Sequence, residues 1–222
     1  MMDQRALTKA AASLAWLIAA AAGGAWAYRW SAEPQVREHS EVVPDWTRYA
    51  LSERTIDEER GGAVIVLFTD YQCPFCRTLE AQLDTLRSRI PEKFGTVVRH
   101  YPLERIHPQA RELANAVECA GGGTTRRRVH RFLFSLQDSI IAPDWLTVAR
   151  QLGLPDPSSF SQCVRNRDQN EKINEDLKAA KELGLRGTPA LIIDGKLFRG
   201  VGDISILEGA ITTSVRRSIR QR

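Results

Sequence analysis

The apolar and polar positions between residues 61 and 103 predict a strand, a helix and a second strand. The run Ala63–Phe68 (AVIVLF) is continuously apolar and rich in β-branched residues, which is typical of a strand buried on both faces. Leucines then recur three or four residues apart as far as Ile90, as on one face of a helix, and Pro91 ends that helix. Because Gly95–Leu103 predicts the next strand, we expect a parallel pair joined by a right-handed crossover.

The rest of the chain predicts one α/β domain over residues 61–220. Between the second strand and residue 167 the apolar spacing is helical throughout, so we interpret residues 105–167 as an all-helical insertion. A further helix covers Asp168–Leu183, and two short apolar runs around an Asp-Gly turn in Thr188–Gly200 predict a hairpin. A last helix follows Asp203, so that the order is β-α-β, helical insertion, α, β-β-α.

The N-terminal residues predict export. Residues 10–28 are apolar and follow Arg5 and Lys9, and at about 1.5 Å per residue this run can just cross a bilayer as an uncleaved anchor. The same residues fit a signal peptide cleaved after Ala27, and a soluble cytoplasmic helix is the third interpretation. We expect the charge-mixed residues 29–60 to be a tether. In either export model the domain lies outside the cytoplasm, where cysteines can pair.

Composition and charge exclude several classes of protein. The chain has 222 residues, 43% of them hydrophobic, which is enough for one well-buried domain. Its net charge of +4 comes largely from residues 124–131 and 215–222, which have little aromatic interleaving and no nucleic-acid motif, so we interpret them as solvated helix faces. The four histidines are scattered, and no Ser/His/Asp set or phosphate loop is visible. We therefore predict no nucleic-acid partner, metal or cofactor.

Cys73 and Cys76 lie between the first predicted strand and its helix. At a helix start, unpaired N–H groups and the helix dipole stabilise a thiolate, which lowers a cysteine pKa from ~8.5 towards ~3.5–7.5. We expect Cys73 to be an exposed thiolate and Cys76, one turn later, to be a buried resolving thiol, the arrangement that disulfide exchange needs. Half of a zinc site and an inert disulfide are the alternatives. The strand–CxxC–helix context favours a reactive dithiol.

Several short motifs resemble one known family. The segments FTDYQCPFC, RHYPL followed by HPQA, VECA, and GLRGTPALIIDGK together resemble the exported DsbA-like thiol–disulfide oxidoreductases, over about Ala63–Ala210. The resemblance implies a thioredoxin fold with a helical insertion. It also implies that Cys73 attacks and Cys76 resolves.

The resemblance also assigns residues around the dithiol. A cis-proline is expected to face the two sulfurs, and the backbone of the residue before it is expected to pair with the client chain. The implied active-site wall and substrate-binding residues are Pro74, Phe75, Thr188 and Pro189.

A second cysteine pair, Cys119 and Cys163, is implied by the same resemblance to be a structural disulfide. Closing that loop could stabilise the fold by up to roughly 4 kcal/mol in the chain-entropy model. Two separate buried thiols are the alternative.

Two residues near the dithiol depart from the family pattern, and a third, Asp70, is retained. Members of the family often carry an acidic residue six positions before the first cysteine as a buried proton acceptor, and this chain has Leu67 there. Proton exchange at Cys76 must then use water or another group. We expect Asp70 to be solvated in its loop. Phe75 replaces the histidine that some relatives place between the cysteines, so we expect a less depressed Cys73 pKa.

The function predicted from these observations is oxidation of cysteines in exported client proteins. A membrane quinone-linked thiol oxidase would reoxidise the dithiol, or a thiol reductant would reduce it in a reductase. An isomerase is disfavoured because residues 31–60 are too short for a separate dimerisation domain. The alternative from another class is a membrane-tethered peptide-binding or chaperone module without turnover.

Overall fold

The computed structural model describes residues 41–50, 52–56, 63–90, 94–137 and 143–220. The predicted N-terminal hydrophobic helix, whether anchor or signal peptide, lies outside the described residues. Within the described ranges, no helix combines the length and the apolar character that a membrane span requires.

The described strands form one five-stranded sheet in the order β1-β5-β4-β2-β3. Strands β2 and β3 are parallel, as the strand–helix–strand pattern predicts, and the other neighbouring pairs are antiparallel. The strands are β1 (Glu41–Val42), β2 (Val64–Thr69), β3 (Gly95–His100), β4 (Ala190–Ile193) and β5 (Lys196–Arg199).

Seven α-helices occur in the described residues, and four of them stand between β3 and the helix that precedes β4. They are α1 (Pro74–Arg89), α2 (Ala110–Cys119), α3 (Gly123–Ser135), α4 (Trp145–Gln151), α5 (Pro157–Asn166), α6 (Asn170–Glu182) and α7 (Ile204–Arg220). Helices α2 to α5 are the predicted all-helical insertion. The element order predicted from the sequence is confirmed.

Strand β2 is buried on both faces, as its apolar run predicts. On one face Ile65 and Leu67 pack in a core with the leucines of α1 and with α7. On the other face Val66 and Phe68 pack in a core with α6 and with Tyr49. Burying each such side chain contributes roughly 1.5–3 kcal/mol, so the end of β2 is a rigid base for the turn and the helix that come after it.

The helical insertion has its own core, which includes the dithiol. Leu113 of α2 and Leu133 of α3 belong to the same buried cluster as Tyr71, Cys73 and Cys76. A disulfide between Cys119, the last residue of α2, and Cys163 of α5 holds the insertion together. The insertion therefore covers the inner side of the dithiol.

Residues 41–56 differ from the predicted tether, because they pack on the domain. Strand β1 pairs with β5, and the ring of Tyr49 lies 6.3 Å from that of Phe68. Arg54 is buried and its guanidinium lies 2.6 Å from the carboxylate of Asp176 on α6. The contacts of this segment come from a short strand, scattered side chains and ion pairs without an apolar period, so hydrophobic spacing does not reveal its packing.

Candidate active site

The dithiol lies at the start of α1, directly after the turn that ends β2. Cys73 is the N-cap, with extended backbone angles, and Pro74 is the first residue of the helix. A proline there sacrifices no hydrogen bond, since the first helical N–H groups have no partner in the helix. The Cys73 carbonyl accepts from the N–H of Cys76 at 3.1 Å and of Arg77 at 3.3 Å. The predicted position of Cys73 at a helix start is confirmed.

Asp70 holds the turn before the dithiol. Its carboxylate accepts from the N–H of Gln72, the N–H of Leu103 and Nδ1 of His107, each at 2.8 Å, and its carbonyl accepts from the N–H of Cys73 at 3.1 Å. Because Asp70 is only 1% exposed, the expectation of a solvated aspartate is wrong. Two of its partners lie 33 and 37 residues further along the chain, where no local pattern signals them.

The loop before β4 meets the dithiol from the other side. The Thr188–Pro189 peptide bond is cis, and the Thr188 carbonyl oxygen lies 3.4 Å from Sγ of Cys73. Pro189 is buried while Thr188 is half-buried. The tertiary structure thus brings together the six residues that the sequence analysis assigned to the dithiol and its wall.

The accessibility of the two sulfurs differs from the expectation of one exposed thiolate. Cys73 is 4% exposed and Cys76 is 1% exposed, and both are free thiols. The Thr188 loop covers Cys73 from one side and the insertion core covers it from the other. Phe75, between the cysteines, is 63% exposed and presents an apolar surface beside them.

The electrostatic environment separates the two thiols. A hydrogen bond from Cys76 is the largest cause that lowers the pKa of Cys73 to about 5, and Thr188 and the N–H groups of Cys76 and Phe75 add to it against the effect of burial. Burial is the largest cause that raises the pKa of Cys76, and the neighbouring Cys73 raises it further. The arrangement favours a Cys73 thiolate that accepts from a protonated Cys76.

The position of the usual proton acceptor is apolar in this chain. Leu67 is fully buried in the core with α1 and α7. Two residues further along the same face of β2, the hydroxyl of Thr69 is buried without a hydrogen-bond partner among the described residues. Its interaction with Cys76 lowers the pKa of that thiol. The Thr69 hydroxyl is therefore a polar group beside Cys76, on the face of β2 where Leu67 offers none.

A chain of buried polar side chains lies beside the dithiol, and sequence reasoning missed it. Tyr71 Oη is 2.9 Å from Nδ1 of His130, and Nε2 of His130 is 3.1 Å from Oε1 of Glu80. Burial raises the pKa of Tyr71 well above its ordinary value. Gln137 donates to the carbonyl oxygens of Tyr71 and Cys73 at 2.9 and 2.8 Å. These contacts tie α3 to the active-site turn.

The remaining cysteines do not complete a zinc site with Cys73 and Cys76. A zinc site would need two further ligands, but Cys119 and Cys163 are bonded to each other. In the described part of the chain no group of three or more His, Cys, Asp or Glu side chains could hold a metal ion. The geometry favours a reactive dithiol over half of a metal site.

Comparison with protein families and curated proteins identifies the domain. A family model described as Thioredoxin matches residues 52–212. The chain is 32% identical over 150 residues to the Na(+)/H(+) antiporter NhaA 1 of Mycobacterium sp. (strain KMS), covering 67% of this chain and 24% of that protein. A Mycolicibacterium gilvum protein of the same name is 32% identical over 169 residues, covering 71% and 27%. The chain thus spans about a quarter of the length of the curated relatives it matches.

Solved structures show which fold the domain shares. The thiol–disulfide exchange protein alpha-DsbA2 of Wolbachia pipientis matches with a TM-score of 0.64 and 19% identity, covering 76% of this chain and 91% of that one. A thioredoxin-like oxidoreductase of Silicibacter pomeroyi DSS-3 gives 0.61 and 23%, with 79% and 98% covered. DsbA2 of Pseudomonas aeruginosa gives 0.53 and 26%, with 72% and 92% covered. The chain belongs to the thioredoxin family, and its domain has the fold of DsbA-type thiol–disulfide oxidoreductases.

Proposed function

We propose that this protein is a thiol:disulfide oxidoreductase that oxidises cysteines of client proteins through Cys73 and Cys76. The observation that supports this proposal is the asymmetry of the pair, with a thiolate favoured at Cys73 and a protonated thiol at Cys76. A stabilised thiolate stabilises the reduced form of the couple and is a good leaving group. Both effects make the disulfide form an oxidant of client dithiols.

The proposed reaction transfers two electrons from the client to the protein. A client thiolate attacks Sγ of Cys73 in the Cys73–Cys76 disulfide, and Cys76 leaves and takes up a proton. The client's second thiolate then attacks the sulfur of the client's first cysteine in the mixed disulfide and releases Cys73 as a thiolate. The client loses two electrons and gains a disulfide, while the protein ends as one thiolate and one thiol.

The residues around the sulfurs support these steps. The Thr69 hydroxyl interacts with Cys76 where negative charge forms as that sulfur leaves. The backbone of Thr188, whose carbonyl oxygen lies beside Sγ of Cys73, would pair with the client chain. The exposed ring of Phe75 offers the client an apolar contact. Pro74 and Pro189 shape the wall on either side of the dithiol.

We propose that the domain acts outside the cytoplasm, in the periplasm or cell envelope, anchored by residues 10–28 or released by cleavage after Ala27. The Cys119–Cys163 disulfide supports an oxidising compartment, because such bonds rarely persist in the cytosol. The partners of the protein would be exported proteins with cysteines and a membrane quinone-linked thiol oxidase that restores the Cys73–Cys76 disulfide. A thiol reductant would replace that oxidase if the protein is a reductase.

A trapping experiment tests the proposal. In the full chain with Cys76→Ala, Cys73 cannot be resolved, so mixed disulfides with exported proteins should accumulate and disappear on reduction. The matched control, Cys73→Ala with Cys76 intact, should trap none. Equal recovery of client proteins by both variants, through contacts that survive reduction, would instead support a non-catalytic binding module.

The reduction potential of the couple decides the direction of electron flow. A value near the roughly −120 mV of strongly oxidising DsbA proteins supports the oxidase, and one near the roughly −270 mV of thioredoxin supports a reductase. Repair of a scrambled disulfide protein at constant redox poise would support an isomerase.

A further inference from the structure

A cavity of about 490 Å³ lies between the loop after β3 and the loop before β4. Residues 101–106, the loop after β3, form most of its lining, and Arg186 completes it from the loop before β4. Its volume is in the range of sites that bind small ligands or single side chains of a partner.

Hydrogen bonds hold the cavity in a defined position relative to Cys73. The Asp70 carboxylate accepts from Leu103 and from His107, at the end of the lining loop, and the Asp70 carbonyl accepts from the N–H of Cys73. On the other side, Arg186 is two residues before Thr188, whose carbonyl lies 3.4 Å from the Cys73 sulfur. A client chain paired with Thr188 would therefore pass the mouth of this cavity.

The apolar part of the lining is partly open to solvent. Tyr101, Pro102, Leu103 and Ile106 supply it, and Ile106 is 69% exposed. The Tyr101 hydroxyl is occupied, since it donates to the carbonyl of Leu185 at 3.1 Å. The cavity thus offers apolar surface for one client side chain.

The charged part of the lining is positive. The Glu104 carboxylate already accepts from Arg111 at 2.8 Å. Arg105 and Arg186 are exposed, and neither has a hydrogen bond or ion pair with any residue that the structure describes. A guanidinium binds a carboxylate through two parallel hydrogen bonds, which makes an acidic side chain the complementary ligand.

We propose that this cavity selects extended client segments that carry an apolar and an acidic side chain close to the reacting cysteine. The apolar side chain packs against Ile106 and its neighbours, and the carboxylate pairs with Arg105 and Arg186. This inference deepens the proposed function and rests on it. A client segment with lysine at the same place is disfavoured by the two guanidiniums.

The test measures how fast Cys73 reacts with three matched peptides. The full chain with Cys76→Ala is mixed with short peptides whose single cysteine is activated as a pyridyl disulfide and is followed by leucine and then by Glu, Gln or Lys. The release of thiopyridone gives the rate of mixed-disulfide formation. We expect the Glu peptide to react about three to ten times faster than the Lys peptide, with Gln between them, and the difference to shrink in high salt.

Variants in the same background assign the effect to the cavity. Substitution of both Arg105→Gln and Arg186→Gln should abolish the discrimination among the three peptides. The control Arg216→Gln, at an exposed arginine of α7 outside the cavity lining, should retain it. Ile106→Ser should slow the leucine-containing peptides relative to serine-containing ones.

An uncharged small disulfide separates this inference from the proposed function. Its rate should be the same with and without the arginine substitutions, which shows that Cys73 remains intact. Failure of Cys73 to react with it at all would overturn the proposed function. Equal rates for the three peptides, or discrimination that survives the double substitution, would overturn the client selection alone.

Discussion

The two cysteine pairs of this domain have opposite environments. Cys73 caps the N-terminus of α1, where unpaired N–H groups favour a thiolate, and it is free. Cys119 ends α2 and Cys163 lies in the last turn of α5, where the helix dipole disfavours a thiolate, and these two are bonded. The comparison teaches that burial alone does not distinguish the free pair from the bonded one, since the position on the helix and the neighbouring groups differ as well.

Substituting cysteines of the two pairs gives the largest expected effects, and the two substitutions should change different properties. Cys73→Ala should abolish oxidation of a reduced client protein, because the Cys73–Cys76 disulfide can no longer form, and should leave thermal unfolding close to wild type. Cys119→Ala with Cys163→Ala should keep the activity but lower the free energy of unfolding by up to about 4 kcal/mol, since a closed loop is released in the unfolded chain. Client oxidation assays and denaturant unfolding measure the two quantities.

The control for the Cys119/Cys163 double substitution is Cys119→Ala alone, which leaves Cys163 as an unpaired thiol. It should lose the same stability as the double variant without gaining activity. Loss of client oxidation in the Cys119/Cys163 double variant at a temperature where it is fully folded would contradict the separation of roles.

The pH dependence of alkylation should distinguish Cys73 from an ordinary cysteine. Because its pKa is lowered to about 5, the rate with iodoacetamide should stay high at neutral pH and fall to half near pH 5. The thiolate stabilises the folded reduced form. That contribution is complete above the ordinary value of 9.0 and is lost as the pH falls towards 5. Rate measurements from pH 4 to 9 give the midpoint.

Cys76→Ala tests how much of the lowered Cys73 pKa depends on Cys76. It removes the hydrogen bond that is the largest cause of the lowered pKa, so the midpoint for Cys73 should move to higher pH. A midpoint unchanged by this substitution would show that the helix start alone stabilises the thiolate.

The smallest expected effect concerns the Thr69 hydroxyl beside Cys76. Thr69→Val removes the polar group that favours the Cys76 thiolate, so the step in which Cys76 resolves a mixed disulfide should slow by about three- to ten-fold. Stopped-flow kinetics of resolution measure this rate at several pH values. Thr69→Ser keeps the hydroxyl and should restore most of it, whereas equal rates for Val and Ser would assign Thr69 a packing role only.

Much of the candidate site was predictable from local sequence, and the remainder depended on distant partners. Cys73 at the helix start and the proline after it were predictable because capping involves residues next to one another. The structural role of Asp70 could not be assigned, since two of its hydrogen-bond donors come from the loop after β3. The contact of His130 with Tyr71, 59 residues away, has no local signal either.

By itself the sequence determined the order of strands and helices, the helical insertion and the position of the dithiol, because each depends on apolar spacing or on neighbouring residues. Only the tertiary structure decided that residues 41–56 pack on the domain, that Cys73 is covered, and that Thr69 lies beside Cys76. Those features arise from contacts between segments far apart in the chain. These residues become buried and reach their partners only when the sheet and the insertion pack together.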